Sequence, residues 1–114
     1  MKLRVAFVAA VVAALLVPSV AAARLYARVG PSSTISLKRG DGTLVTHLSP
    51  GTKRIVVRDR ASNHNFHLTG PGVDRRTGVS FVGRRRWSVQ FSSGTYRYLC
   101  DTHPSTMQRS FTVG

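Results

Sequence analysis

Beyond residue 24 the apolar residues fall in short runs of about five, separated roughly every ten residues by Gly, Pro, Asn, Asp or Ser. Positions 25–29 form a first run, stopped by Gly30-Pro31, and positions 34–38 alternate with period two before the turn Arg39-Gly40-Asp41-Gly42. The run 44–48 closes at Ser49-Pro50-Gly51, and the β-branched run 54–58 predicts an interior strand. A strand over 65–68, ended by Gly70-Pro71-Gly72, and another over 78–82 are predicted next. Trp87, Val89 and Phe91 then alternate against Ser88, Gln90 and Ser92, and Ser92-Ser93-Gly94 turns the chain. Tyr96, Tyr98 and Cys100 share one face of the following strand, with Leu99 on the other, and positions 110–113 close the domain. No period of 3.6 residues, internal repeat or low-complexity tract interrupts this texture. Eight or nine short strands at such spacing predict an all-β sandwich, with Trp87, Phe91, Tyr98, Phe81 and Phe111 in its core.

The first 23 residues read differently. Lys2 and Arg4 precede an apolar run over 5–17, and Ala21-Ala22-Ala23 offers small residues for cleavage, which predicts an export signal helix over 1–23 and one domain over 24–114. A retained membrane anchor is the weaker reading, because the run falls short of the roughly 20 residues a spanning helix needs. No cysteine at the junction offers a lipid anchor, and no Arg-Arg pair precedes the run. Export predicts a secreted or periplasmic protein. It also makes the lone cysteine notable, since Cys100 has no partner for an internal disulfide.

The 114 residues carry a formal net charge of +13, with 17 Lys and Arg against 4 Asp and Glu; Lys2 and Arg4 in the export segment supply two of the positive charges. Such a balance attracts anionic partners. The clusters Arg75-Arg76 and Arg84-Arg85-Arg86 have little aromatic interleaving, which argues against specific nucleic-acid binding. They read as a solvated edge, with 84–86 at a turn, able to dock an acidic redox partner or an anionic cell envelope.

The chemistry concentrates between residues 96 and 107. Cys100, His103 and Met107 place a thiolate, an imidazole and a thioether on one short loop. A second imidazole would complete two His, one Cys and a weak Met, the blue-copper ligand set. His47 lacks polar site chemistry beside it and reads as a surface or core-edge residue. His64 and His67, three positions apart, face opposite sides of an extended segment, so one of them enters a given site. His64 is favoured: Phe66 would share its face and pack beneath a metal, Asn65 would reach toward the neighbouring loop, and His67 would point away. Structural zinc normally recruits more cysteine, and Met107 suits copper better. A cysteine nucleophile would have only Asp101 nearby as an orienting carboxylate.

His64-Asn65, then Cys100-x-x-His103-x-x-x-Met107 before the final run Phe111-Thr112-Val113, resembles the cupredoxin family, which includes plastocyanin, amicyanin, azurin and pseudoazurin. The resemblance runs from about residue 34 to 114 and includes Gly94-Thr95-Tyr96-Arg97-Tyr98-Leu99-Cys100. It implies a Greek-key β-sandwich holding one type 1 copper at His64, Cys100, His103 and Met107, with Asn65 hydrogen-bonded toward Asp101. Three residues separate His103 from Met107, where plastocyanin-like loops usually have four and amicyanin-like loops two; Thr102 stands where several relatives have proline. The implied function is a monomeric carrier of single electrons between redox partner proteins, not an enzyme. Copper sequestration without electron transfer, a fold that has lost copper, and a basic module for anionic surfaces are the alternatives. Four histidines are too few for a complete multicopper oxidase.

Overall fold

The computed structural model describes residues 22–114. The export segment predicted over 1–23 lies outside the described residues except for its last two, and no helix among the described residues is long and apolar enough to cross a membrane. Among the described residues nine strands form in chain order: β1 (Ala23–Val29), β2 (Ile35–Arg39), β3 (His47–Leu48), β4 (Gly51–Asp59), β5 (His67–Gly70), β6 (Val73–Arg76), β7 (Gly83–Phe91), β8 (Gly94–Leu99) and β9 (Gln108–Val113). They build two sheets, ordered β2-β1-β4-β7 and β3-β9-β8-β5-β6. Both are mixed: β1 runs parallel to β4, and β3 parallel to β9, while the other pairs are antiparallel.

The alternation that predicts strands also sets which face is buried. Leu25, Ala27 and Val29 of β1 meet Ile55 and Val57 of β4 and Trp87, Val89 and Phe91 of β7 inside the sandwich, all nearly inaccessible. The second sheet contributes Leu68, Tyr96, Tyr98, Phe111 and Val113. Aromatic rings knit the core: Phe91 meets Tyr96 edge-on at 5.0 Å, Tyr96 stacks on Phe111 at 5.5 Å, and Phe66 stacks on Tyr98 at 5.1 Å. Hydrogen bonds also cross between the sheets: the buried Leu37 N–H on β2 donates to the Tyr98 hydroxyl on β8 at 3.0 Å, Arg109 Nε on β9 to the Ile35 carbonyl on β2 at 3.3 Å, and Arg39 on β2 to the His47 carbonyl on β3 at 2.6 Å.

Four local expectations need correction. The run 44–48 is not one strand: Leu44 bridges to Lys38 at the β2 edge, whereas His47 and Leu48 pair with β9, so the segment passes from one sheet to the other. Residues 78–82 form a loop, in which Phe81 is half-buried outside the core cluster and Val82 is 56% exposed. The arginines 84–86 are not at a turn but open β7, paired with Val56, Val57 and Arg58 of β4. Their long stems tolerate this, and Arg85 lays its guanidinium over the Phe81 ring at 4.0 Å. The strand predicted over 65–68 begins only at His67, and β6, which carries Arg75 and Arg76, pairs with it.

Tyr98→Phe would orphan the buried Leu37 N–H while keeping the ring packing. It is expected to destabilise the protein by about 1–3 kcal/mol. Urea unfolding should show a lower midpoint at unchanged slope.

Candidate metal centre

Three loops meet at one end of the sandwich: 60–66 between β4 and β5, 77–82 between β6 and β7, and 100–107 between β8 and β9. The ladder of β8 with β9 ends at Leu99 opposite Gln108, and the Cys100 N–H extends it by one bond to the Met107 carbonyl at 3.0 Å. The loop is therefore closed at its base. Within it the His103 N–H donates to the Cys100 carbonyl and the Met107 N–H to the His103 carbonyl. These turns return His103 toward the Cys100 thiol and bury Met107, which is 1% exposed.

His64 comes from the facing loop and is 3% exposed. The side-chain donors of His64, Cys100 and His103 all lie within 4.8 Å of one another. The Cys100 Sγ stands 3.6 Å from His64 Nδ1 and 3.8 Å from His103 Nδ1. The two imidazoles meet edge-on, 4.7 Å between centroids. His103 retains partial exposure, so the cluster has one edge toward solvent.

Asn65 organises this geometry. Its Nδ2 donates to Asp101 Oδ2 at 2.7 Å and to the Thr77 carbonyl at 3.0 Å, and its Oδ1 accepts the Asp101 N–H at 2.8 Å. Its own N–H approaches the Cys100 Sγ at 3.5 Å. The expected bond between Asn65 and Asp101 is present, and doubled. Phe66, fully buried beside Tyr98 and Trp87, receives a further tie when its N–H donates to Thr77 Oγ1 at 3.0 Å. His64, Asn65 and Phe66 are all buried, so simple strand alternation does not describe this segment.

His67 lies apart from the cluster, its Nδ1 2.7 Å from Asp101 Oδ1 and its Nε2 2.6 Å from Asp74 Oδ1. Carboxylates accept and do not donate, so this pair of contacts favours the charged ring, with protons on both nitrogens. Burial works against that charge, but the two carboxylates outweigh it and raise the His67 pKa above its ordinary value. His47 is exposed on β3, with Nδ1 2.9 Å from Thr112 Oγ1. Of the arginines singled out in the sequence, none joins the cluster: Arg75 sits over the Trp87 ring, and Arg84, Arg85 and Arg86 lie on β7.

Burial pushes the Cys100 thiol up. Hydrogen bonds from Thr102 and His103 and from the Asn65 and Thr102 amides more than compensate, bringing it down to about 6. The sequence marks Thr102 only as standing where relatives have proline and gives it no role at the thiol. Its hydroxyl lies 3.2 Å from the Cys100 Sγ and 3.0 Å from the Asn63 carbonyl, joining the two loops beside the thiol. Thr77 was missed as well, because nothing about a lone threonine after two arginines signals a buried crosslink.

No family model matches the sequence, and no curated protein matches it closely enough to count as a relative. Solved structures do. Reduced rusticyanin is 21% identical with a TM-score of 0.60, over 80% of this chain and 78% of that one. A second rusticyanin structure, described as that of a copper protein, is 19% identical with a TM-score of 0.58, over 80% and 76%. An amicyanin variant in the Cu(I) state is 17% identical with a TM-score of 0.54, over 84% and 87%.

The raised pKa of His67 sets the sign of one pH effect. Stabilisation by the charged ring is fully present below the unfolded histidine value, about 6.5, and is lost as pH rises through the folded one. Urea unfolding of metal-free protein should therefore show the largest gap between wild type and His67→Gln below about pH 6.5, closing at higher pH. The gap should also shrink in acid as Asp101, whose pKa is held low by His67 and Asn65 against the effect of burial, takes up its proton.

The two sheets, their strand order and these structural likenesses agree: the chain has the cupredoxin fold.

Proposed function

We propose that this chain is an exported carrier of single electrons that holds one type 1 copper ion at His64, Cys100, His103 and Met107. The observation that carries the reading is the spacing around the thiol. A metal bound at about 2.0–2.1 Å to imidazole nitrogen and about 2.3 Å to thiolate, with angles between tetrahedral and trigonal, separates the two donors by about 3.5–3.8 Å. The Cys100 Sγ stands 3.6 Å from one imidazole nitrogen and 3.8 Å from the other. That agreement supports a metal held between these donors, on loops whose closure fixes their spacing.

The kind of metal follows from the donor set. Zinc would accept the same three donors, but a structural zinc site built with one cysteine and a buried methionine beside it would be unusual. A soft thiolate with two imidazoles and a thioether suits copper. Held by these residues, copper would supply one-electron transfer between its Cu(I) and Cu(II) states. The protein's own part is to keep the thiol ready to ionise, to fix His64 and Cys100 through Asn65, and to leave His103 at the solvent edge as the electron's exit. Export is supported by the charged, apolar and small-residue order of positions 1–23. Partners are redox proteins with acidic surfaces, favoured by the positive charge of the chain.

Cu(II) added to metal-free protein should give an intense thiolate-to-copper visible band and narrow hyperfine splitting in paramagnetic resonance. A pale, ordinary Cu(II) spectrum would overturn the reading. A blue site lacking a reversible potential would instead mark a copper store. Cys100→Ser should abolish the band. Met107→Leu should retain copper while changing the potential, and an unchanged potential and spectrum would remove Met107 from the ligand set.

A further inference from the structure

The outward face of the sheet β2-β1-β4-β7 carries an ordered array of cations. On β1, Arg24, Tyr26 and Arg28 point to solvent opposite the buried Leu25, Ala27 and Val29. The register places Arg28 opposite Arg58, and Arg58 opposite Arg84, in one row across three strands. Four residues away along β1 and β4, Arg24 stands opposite Arg54, with Arg86 on β7 opposite Val56 between the two rows. Lys38 on β2 lies opposite Tyr26. Directly opposed side chains on one face sit about 5 Å apart at Cβ, where like charges repel.

Among the described residues no carboxylate side chain forms an ion pair with these cations. The chain's four carboxylates are Asp41, Asp59, Asp74 and Asp101. Asp41 is bonded to Thr43, Asp59 is buried, and Asp74 and Asp101 hold His67. The array encloses two shallow hollows: one bordered by Arg24, Arg54 and Arg86, the other by Arg28, Arg58 and Arg84 around Tyr26 and Val56. Tyr26 is 42% exposed at the middle of this arrangement.

We propose that this face docks an acidic protein surface, that of the partner with which the metal centre exchanges electrons. Only the partner's redox role rests on the electron-carrier reading; the docking face stands on its own residues. Arginine forks bind carboxylates in pairs of parallel hydrogen bonds, so rows of arginine select carboxylate-bearing side chains in a way that diffuse charge does not. A tyrosine beside an apolar valine, ringed by arginines, has the composition of an interface centre. The array spans about 14 Å in each direction, from strand spacing and residue rise. The row Arg28-Arg58-Arg84 lies at the end of the sheet where β4 runs into the loop bearing His64. A second copy of this chain is disfavoured, because the same charges would face each other.

The test uses isotopically labelled protein, metal-free and copper-loaded, titrated at low salt with poly-glutamate as the acidic surface and separately with phosphatidylglycerol vesicles. Poly-glutamate should shift backbone amide resonances at 24–28, 54–58 and 84–88. Combined Arg28→Ser, Arg58→Ser and Arg84→Ser substitution should weaken binding about tenfold and leave the visible spectrum unchanged. Combined Arg75→Ser, Arg76→Ser and Arg97→Ser substitution on the other sheet, which removes equal charge, should weaken it by less than about threefold. Shifts spread over both sheets, equal losses in the two triple variants, or tighter binding to vesicles through these amides would overturn the proposal; the amide map of the wild type decides even if a variant fails to fold. Mapping to this face without a blue copper spectrum would reject the electron-carrier reading and keep the docking face. A blue spectrum without such mapping would do the reverse.

Discussion

The side-chain amide of Asn65 is the constraint on which the functional end of the molecule depends. Buried polar groups must find partners or carry a cost of about 1–3 kcal/mol each. Asn65 meets that demand with bonds to two different loops, Asp101 on one and Thr77 on the other, while its backbone N–H faces the Cys100 sulfur. The partners cannot be reached unless loops 60–66, 77–82 and 100–107 adopt one mutual arrangement. That arrangement places an imidazole on either side of the thiol. A packed aromatic floor of Phe66, Tyr98 and Trp87 then keeps the loops from settling inward.

The scarcity of acid shapes the rest. Asp101 serves Asn65 and His67 together, and Asp74 clamps the other side of the same ring, so half of the chain's carboxylates are spent at one histidine beside the proposed copper ligands. Among the described residues no arginine forms an ion pair with a carboxylate, and the two sheets acquire different characters. One carries the polar scaffold of the centre. The other offers an ordered positive surface that begins close to that centre. On the proposed reading, recognition and redox chemistry fall to neighbouring but separate sets of side chains.

The sandwich was legible wherever a strand buries one face and wets the other. Trp87, Val89 and Phe91, or Tyr96 and Tyr98, alternate because the pleat has period two. Legibility failed where that logic lapses. β6 has only Val73 against the core and exists because a tight turn at Gly72, with φ of 68°, lets it pair with β5. The apolar residues 79, 81 and 82 suggested a strand, yet Val82 is exposed and Phe81 serves as a platform for Arg85. Three consecutive arginines looked like a turn because propensity ignores what long aliphatic stems can cover. At the centre, the chemistry of Cys100, His103 and Met107 was visible in their spacing. The nearness of His64 was anticipated from strand alternation, whereas the structure achieves it through hydrogen bonds of the next residue. Thr77 and Thr102 were silent, since a hydroxyl reveals its partner only once the chain has folded.

The same arginines have a meaning for colloidal behaviour. Every open sheet ends in strands whose unpaired amides and carbonyls invite another strand to add, and long edges are the usual seeds of fibrous aggregates. Two of the four edges here are blunted by shape: β3 is two residues long, and β2 is partly screened by the bridge from Leu44. The other two are β6 and the nine-residue β7. Those are the strands that carry Arg75-Arg76 and Arg84-Arg85-Arg86, so any like strand approaching in register would meet its own charge. A small domain without a disulfide, which opens more readily than a crosslinked one, thus has electrostatic bumpers on the edges most exposed to runaway self-templating.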